Sequence, residues 1–91
     1  MAKVIWSPRA LADIDSIRDY IGQSSPLAAQ RMAIRLLQAG DSLDLFPRRG
    51  RPAARGMREL TVIYPYIIRY RVVGERVDIV RIKHGAQRPS G

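Results

Sequence analysis

Apolar and polar positions change their period along the chain. Val4, Ile5 and Trp6 form a short apolar run that reads as a strand ending at Ser7. Leu11, Ile14, Ile17 and Ile21 then recur at three- and four-residue spacing, which is one apolar stripe on a helix. Ser7-Pro8 supplies its start, because a serine oxygen caps free N–H groups and proline suits the first helical position. Asp13 and Asp15 lie near that start, where the helix dipole favours negative charge. The pattern breaks from Gly22 to Ser25, and Ser25-Pro26 repeats the start signal. Ala29, Ala33, Leu36, Gly40 and Leu43 make a second helical seam, closed by Phe46-Pro47. Its small residues predict close approach by a neighbouring helix, and a link of about four residues predicts an antiparallel hairpin.

Residues 47–56, PRRGRPAARG, hold four arginines, two prolines and two glycines and read as a basic loop with no regular element. Beyond it the period is two. Leu60 and Val62 alternate with Glu59 and Thr61; Tyr66, Ile68, Tyr70 and Val72 alternate with Ile67, Arg69, Arg71 and Val73; Val77 and Ile79 begin a third strand reaching His84. Val73-Gly74-Glu75-Arg76 fits a two-residue hairpin, with glycine where positive φ is needed. That register sets Arg71 against Asp78, as a cross-strand ion pair, and Tyr70 against Ile79. A three-residue loop, Ile63-Tyr64-Pro65, sets Leu60 and Val62 beside Tyr66 and Ile68, and Glu59 opposite Arg69. Residues 87–91 read as a frayed polar tail.

The resulting order is β-α-α-β-β-β: an α+β, two-layer domain in which a helix hairpin covers one face of a three-stranded antiparallel sheet. Trp6, Tyr66 and Tyr70 fall in or near its core. The other face is expected to carry Ile67, Arg69, Arg71, Val73, Val80, Ile82 and His84, a mixture of aliphatic and cationic groups that suits a partner. With 91 residues the chain forms one domain, residues 1–91, of modest stability. Having no cysteine removes disulfides, cysteine-ligated zinc and thiol catalysis, and the one histidine leaves no histidine-based metal site, so no cofactor is expected. No run is long enough to span a membrane, and a cytoplasmic protein is expected. Charge changes the picture more. Residues 1–47 carry five basic and five acidic side chains, whereas residues 48–91 carry eleven basic and three acidic, so the whole net charge of +8 lies in the second half. Such asymmetry predicts an acidic partner, whether nucleic acid, a nucleoprotein machine or an acidic protein.

Val4-Ile5-Trp6-Ser7-Pro8 with Ala10-Leu11, Asp19-Tyr20-Ile21, Ser25-Pro26 with Ala28-Ala29, Ser42-Leu43 before Phe46-Pro47, Gly50-Arg51, Met57-Arg58-Glu59-Leu60, the run from Tyr66 to Val72, and His84-Gly85 follow one another in an order that resembles the ParE branch of the RelE/ParE toxin superfamily. The resemblance covers nearly the whole chain. It implies the toxin of a type II toxin–antitoxin pair, held in a hetero-oligomeric complex by a ParD-like antitoxin. ParE-like members inhibit DNA gyrase without being enzymes, whereas RelE-like members cut messenger RNA inside the ribosome.

Residue by residue, the nuclease pattern is depleted here. The family's arginine after the tyrosine that opens the middle strand is Ile67, the basic residue after the last strand falls near Gly85-Ala86, and a lysine pair is matched by Arg58 and Leu60. Aliphatic groups cannot stabilise a pentavalent phosphate, so the expectation is a gyrase inhibitor with gyrase as partner. The alternative is a ribosome-dependent endonuclease built on His84, Arg81, Lys83 and Arg69, with His84 exchanging protons near neutrality. A third reading is a simple nucleic-acid-binding module. Arg81, Lys83 and Arg69 are the candidates for target contact. Ile67, Arg69, Val73, Val80 and Ile82 are the candidates for antitoxin contact, through an acidic amphipathic segment that buries the aliphatics and pairs the arginines.

Overall fold

The computed structural model describes residues 1–85, so the tail expected to fray lies outside the described residues. Strand β1 (Lys3–Trp6) leads into helix α1 (Pro8–Gly22) and helix α2 (Pro26–Asp41). Then come β2 (Arg51–Pro52), β3 (Arg58–Ile63), β4 (Tyr66–Val73) and β5 (Arg76–His84). Both helices start where the serine-proline pairs put them. Ser7 accepts a hydrogen bond from the Ala10 N–H at 3.0 Å, and Ser25 accepts one from Ala28 at 3.1 Å.

The sheet has five strands, not three, in the order β1-β5-β4-β3-β2. β1 is not a separate element: it docks parallel to β5, with Val4 beside Val77 and Trp6 beside Ile79. Within the segment read as a basic loop, Arg51 and Pro52 form the short edge strand against Glu59 and Arg58. The arrangement remains two-layered. Ala10, Ile14, Ala29, Ala33, Leu36 and Leu43 from the helical layer are buried with Leu60, Ile68, Tyr70, Val77 and Ile79 of the sheet. On α1, Ala10 takes the buried place expected for Leu11, which is exposed. Gly40 serves the sheet rather than a second helix, since a Cβ there would collide with the Trp6 ring and with Ile79.

The hairpin registers follow the sequence in part. Gly74 has φ +59° in the β4–β5 turn, and Arg71 and Tyr70 lie opposite Asp78 and Ile79. Glu59 lies opposite Arg69, and Leu60 opposite Ile68. The next pair differs. Ile63, not Val62, faces Tyr66, because one extra residue of β3 is taken up between Leu60 and Ile63. That irregularity lets a two-residue turn, Tyr64-Pro65, coexist with a buried Leu60.

A second irregularity decides what the open face carries. Arg69 pairs with Arg81 and Tyr70 with Ile79, which leaves Val80 as the extra residue on β5. Beyond it the alternation reverses. Ile82, expected on the open face, is 3% exposed and belongs to the core. His84, also expected there, turns toward the helices opposite Tyr66, and Lys83 comes to the open face beside Ile67.

Candidate functional site

The open face is organised by register. Arg51 on β2, Glu59 on β3, Arg69 on β4 and Arg81 on β5 stand side by side across four strands. Glu59 accepts hydrogen bonds from Arg69 Nη2 at 2.8 Å and Nε at 3.3 Å, and its other oxygen lies 3.6 Å from Arg51. The hydrogen bond from Arg69 and the positive field of Arg69, Arg51 and Lys83 hold the Glu59 carboxyl below its ordinary pKa, against an opposing push from burial. Glu59 therefore stays ionised and fixes Arg69 in place.

Arg81 is held from the other side. α1 runs along the β5 edge that β1 leaves uncovered, and Asp13 fills that edge by accepting from the Ile82 N–H at 2.8 Å. The same carboxylate lies 3.6 Å from Arg81 Nε and accepts from Arg9 at 3.2 Å. Arg81 Nε is shielded from solvent and has no hydrogen-bond partner among the described residues, so its charge is met by Asp13 alone at ion-pair distance.

Of the three cations and one imidazole singled out by sequence, the three cations come together. Arg69, Arg81 and Lys83 occupy adjacent pairs on the two central strands. His84 does not join them. Its ring packs edge-on against Tyr66, with centroids 5.5 Å apart and planes at 89°. The two lie at the end of a cleft of about 380 Å³ lined by Ser16, Ile17, Tyr20, Tyr66 and His84. Burial raises the pKa of the Tyr66 hydroxyl, and the nearby Tyr20 hydroxyl adds to the effect, which puts two phenols at one cleft.

Arg58, the one residue matching the family's lysine pair, is committed to structure: its guanidinium donates to the Gly50 carbonyl at 2.7 Å. Arg71 does not pair with Asp78 as expected, because Arg76 takes that carboxylate at 2.8 Å and 3.1 Å. Among the antitoxin-contact candidates, Val73 is exposed, Ile67 and Val80 are half-buried, and Ile82 is withdrawn into the core. Ile5, not singled out by sequence, joins the open face next to Asp78.

Sequence reasoning missed Asp13 as the group that holds Arg81, and Ser16 and Tyr20 as the helix wall of the cleft. A signal for all three was present, since Asp13, Ser16, Ile17 and Tyr20 share one helical face. Among the described residues no cluster of His, Cys, Asp and Glu could hold a metal ion, and no helix is long and apolar enough to cross a membrane.

Comparison with known proteins gives a family and several relatives. Residues 4–89 match the family described as "ParE toxin of type II toxin-antitoxin system, parDE". The chain is 61% identical over 87 residues to "Toxin RelE2" of Caulobacter vibrioides, covering 96% of this chain and 99% of that one. It is 36% identical to "Toxin RelE1" of the same organism, over 92% and 94% of the two chains. A solved structure titled "Chromosomal ParDE TA system from P. aeruginosa" superposes with a TM-score of 0.82 at 29% identity, covering 92% of this chain and 96% of that one. The family description and the solved structure carry the ParE name and these relatives the RelE name, so what they share is the superfamily. The long match to a RelE-named toxin overturns the expectation of a gyrase inhibitor. With it fall gyrase as the target and the expectation of a non-enzymatic protein.

Proposed function

The chain belongs to the RelE/ParE superfamily of type II toxin–antitoxin toxins, and from that premise we propose that it is a ribosome-dependent messenger-RNA endonuclease silenced by a ParD-like antitoxin. The observation that carries this reading is the 61% identity, over nearly the full length of both chains, to a toxin named RelE2. The depleted nuclease pattern is answered by other residues of this chain. Lys83 and His84 are consecutive at the end of β5 and look to opposite faces of the sheet. An RNA backbone crossing that strand end meets an ammonium group on one side and an imidazole on the other. Arg81 and Arg69 extend the positive field inward from there.

The chemistry asked of these groups is a transesterification. The ribose 2′-oxygen attacks the adjacent phosphorus and gives up its proton, the bond from phosphorus to the 5′-oxygen breaks, and that oxygen leaves with a proton. The products are a 2′,3′-cyclic phosphate and a 5′-hydroxyl. His84 is the group at this strand end able to exchange a proton, and Lys83 with Arg81, on the other face, offsets negative charge along the RNA backbone. The ribosome supplies the aligned messenger, which compensates for a sparse set of catalytic groups.

The antitoxin contact belongs to the open face. Ile67, Val73, Val80 and Ile5 alternate there with Arg69, Arg71 and Lys83, a surface that an acidic amphipathic segment would bury. A purified translation system tests the activity. Added toxin is expected to cut messengers within the codon in the ribosomal A site, to leave the same RNA whole without ribosomes, and to lose activity in Lys83→Ala and His84→Ala. Messengers that stay whole at toxin levels that arrest growth would overturn the reading.

A further inference from the structure

The cleft between α1 and the ends of β4 and β5 has more construction than a packing defect requires. Its volume of about 380 Å³ is in the range of small-ligand sites. Its two walls come from different layers: Ser16, Ile17 and Tyr20 from the helix, and Tyr66 and His84 from the sheet. Tyr66 is fixed by burial and by the edge-on His84 ring. Tyr20 faces it from the helix and is 71% exposed, an aromatic ring that the core does not use. The polar groups of the lining are hydroxyls and an imidazole, which both donate and accept hydrogen bonds, and no carboxylate lines the cleft among the described residues.

The helix wall of the cleft ends at an ion pair. Asp13 is one helical turn before Ser16 and Ile17 on the same face of α1, and Arg81 is drawn to Asp13 at the β5 edge. A flat ring with a hydrogen-bonding edge satisfies the ring walls and the hydroxyls together. We propose that this cleft receives a single unstacked nucleobase of the RNA substrate, laid against Tyr20 and Tyr66. The proposal rests on the endonuclease reading for the identity of its ligand and places substrate recognition on the helix side of the sheet. Base-on-tyrosine stacking accepts any base, so the cleft contributes affinity and positioning with little sequence preference.

Two measurements separate this proposal from the reading it rests on. In the translation system, Tyr20→Ala is expected to raise the toxin concentration needed for half-maximal cleavage about tenfold while leaving the maximal rate within about twofold, and Tyr20→Phe is expected to restore it. Tyr20 is an exposed helix position, so both variants should fold. Separately, titration of the isolated toxin with adenosine 5′-monophosphate is expected to shift the NMR signals of the Tyr20, Tyr66 and His84 rings. Unchanged cleavage by Tyr20→Ala beside an active wild type would overturn the cleft and leave the endonuclease reading standing. An inactive wild type would sink that reading, and the nucleotide titration then decides the cleft by itself. Shifts confined to Arg69 and Lys83, or none at all, would count against it.

Discussion

Single carboxylates do much of the ordering around the cations. Asp13 closes the open edge of β5 through the Ile82 N–H and holds Arg81. Glu59 holds Arg69 with two hydrogen bonds. Hydrogen bonds to charged groups contribute about 1.5–3 kcal/mol each, so these carboxylates matter to stability as well as to the site. For Glu59 the direction with pH follows from its lowered pKa. A carboxyl whose folded pKa lies below its ordinary value of 4.5 contributes its full stability above that value and loses it as the pH falls through the lower, folded one. Glu59→Gln has no such proton to take up. Its urea midpoint should therefore lie below that of the wild type near neutrality, by about 1–2 kcal/mol of stability, and the two should converge in acid. A gap that stays constant across the acid range would show that Glu59 is not the group being titrated.

At the scale of elements, the sequence was most legible where the signal is local. Serine-proline pairs start both helices, and Gly74 turns the β4–β5 hairpin because a residue there must adopt positive φ. Ala29, Ala33, Leu36, Gly40 and Leu43 all proved buried, as their spacing implies. The docking of β1 on β5 was not legible, since nothing near Val4 specifies a partner more than seventy residues away. The irregularity at Val80 was hidden for another reason. Val77, Ile79, Val80 and Ile82 are all aliphatic, so the pattern fits either face after Ile79, and only packing decides. That choice put Ile82 in the core and Lys83 on the open face, which reverses half of the expected site. Truncation tests the reversal. Ile82→Ala should cost about 2–4 kcal/mol in urea unfolding, and Ile67→Ala no more than about 1 kcal/mol. The opposite ranking would restore the simple alternation.

Across the whole molecule, charge and fold divide along the same line. β1 and the helical hairpin come from the half of the sequence whose charges balance, and the other four strands come from the half that carries the entire excess of +8. One layer is thus close to neutral and the other is basic, which orients the toxin toward an anionic target before any contact forms. A cation that neutralises a phosphate releases a counterion, so each one contributes to the salt dependence of binding, whereas a stacked ring does not. The slope of log affinity for ribosomes against log salt should therefore sort the site residue by residue. Lys83→Ala should flatten it by about one unit. Arg69→Ala should flatten it less, because Glu59 already offsets part of that charge. Tyr20→Ala should weaken binding at every salt concentration and leave the slope unchanged. If Tyr20→Ala flattened the slope as Lys83→Ala does, its effect would be electrostatic, and the division between a charged face that attracts RNA and a ring-walled cleft that seats it would fail.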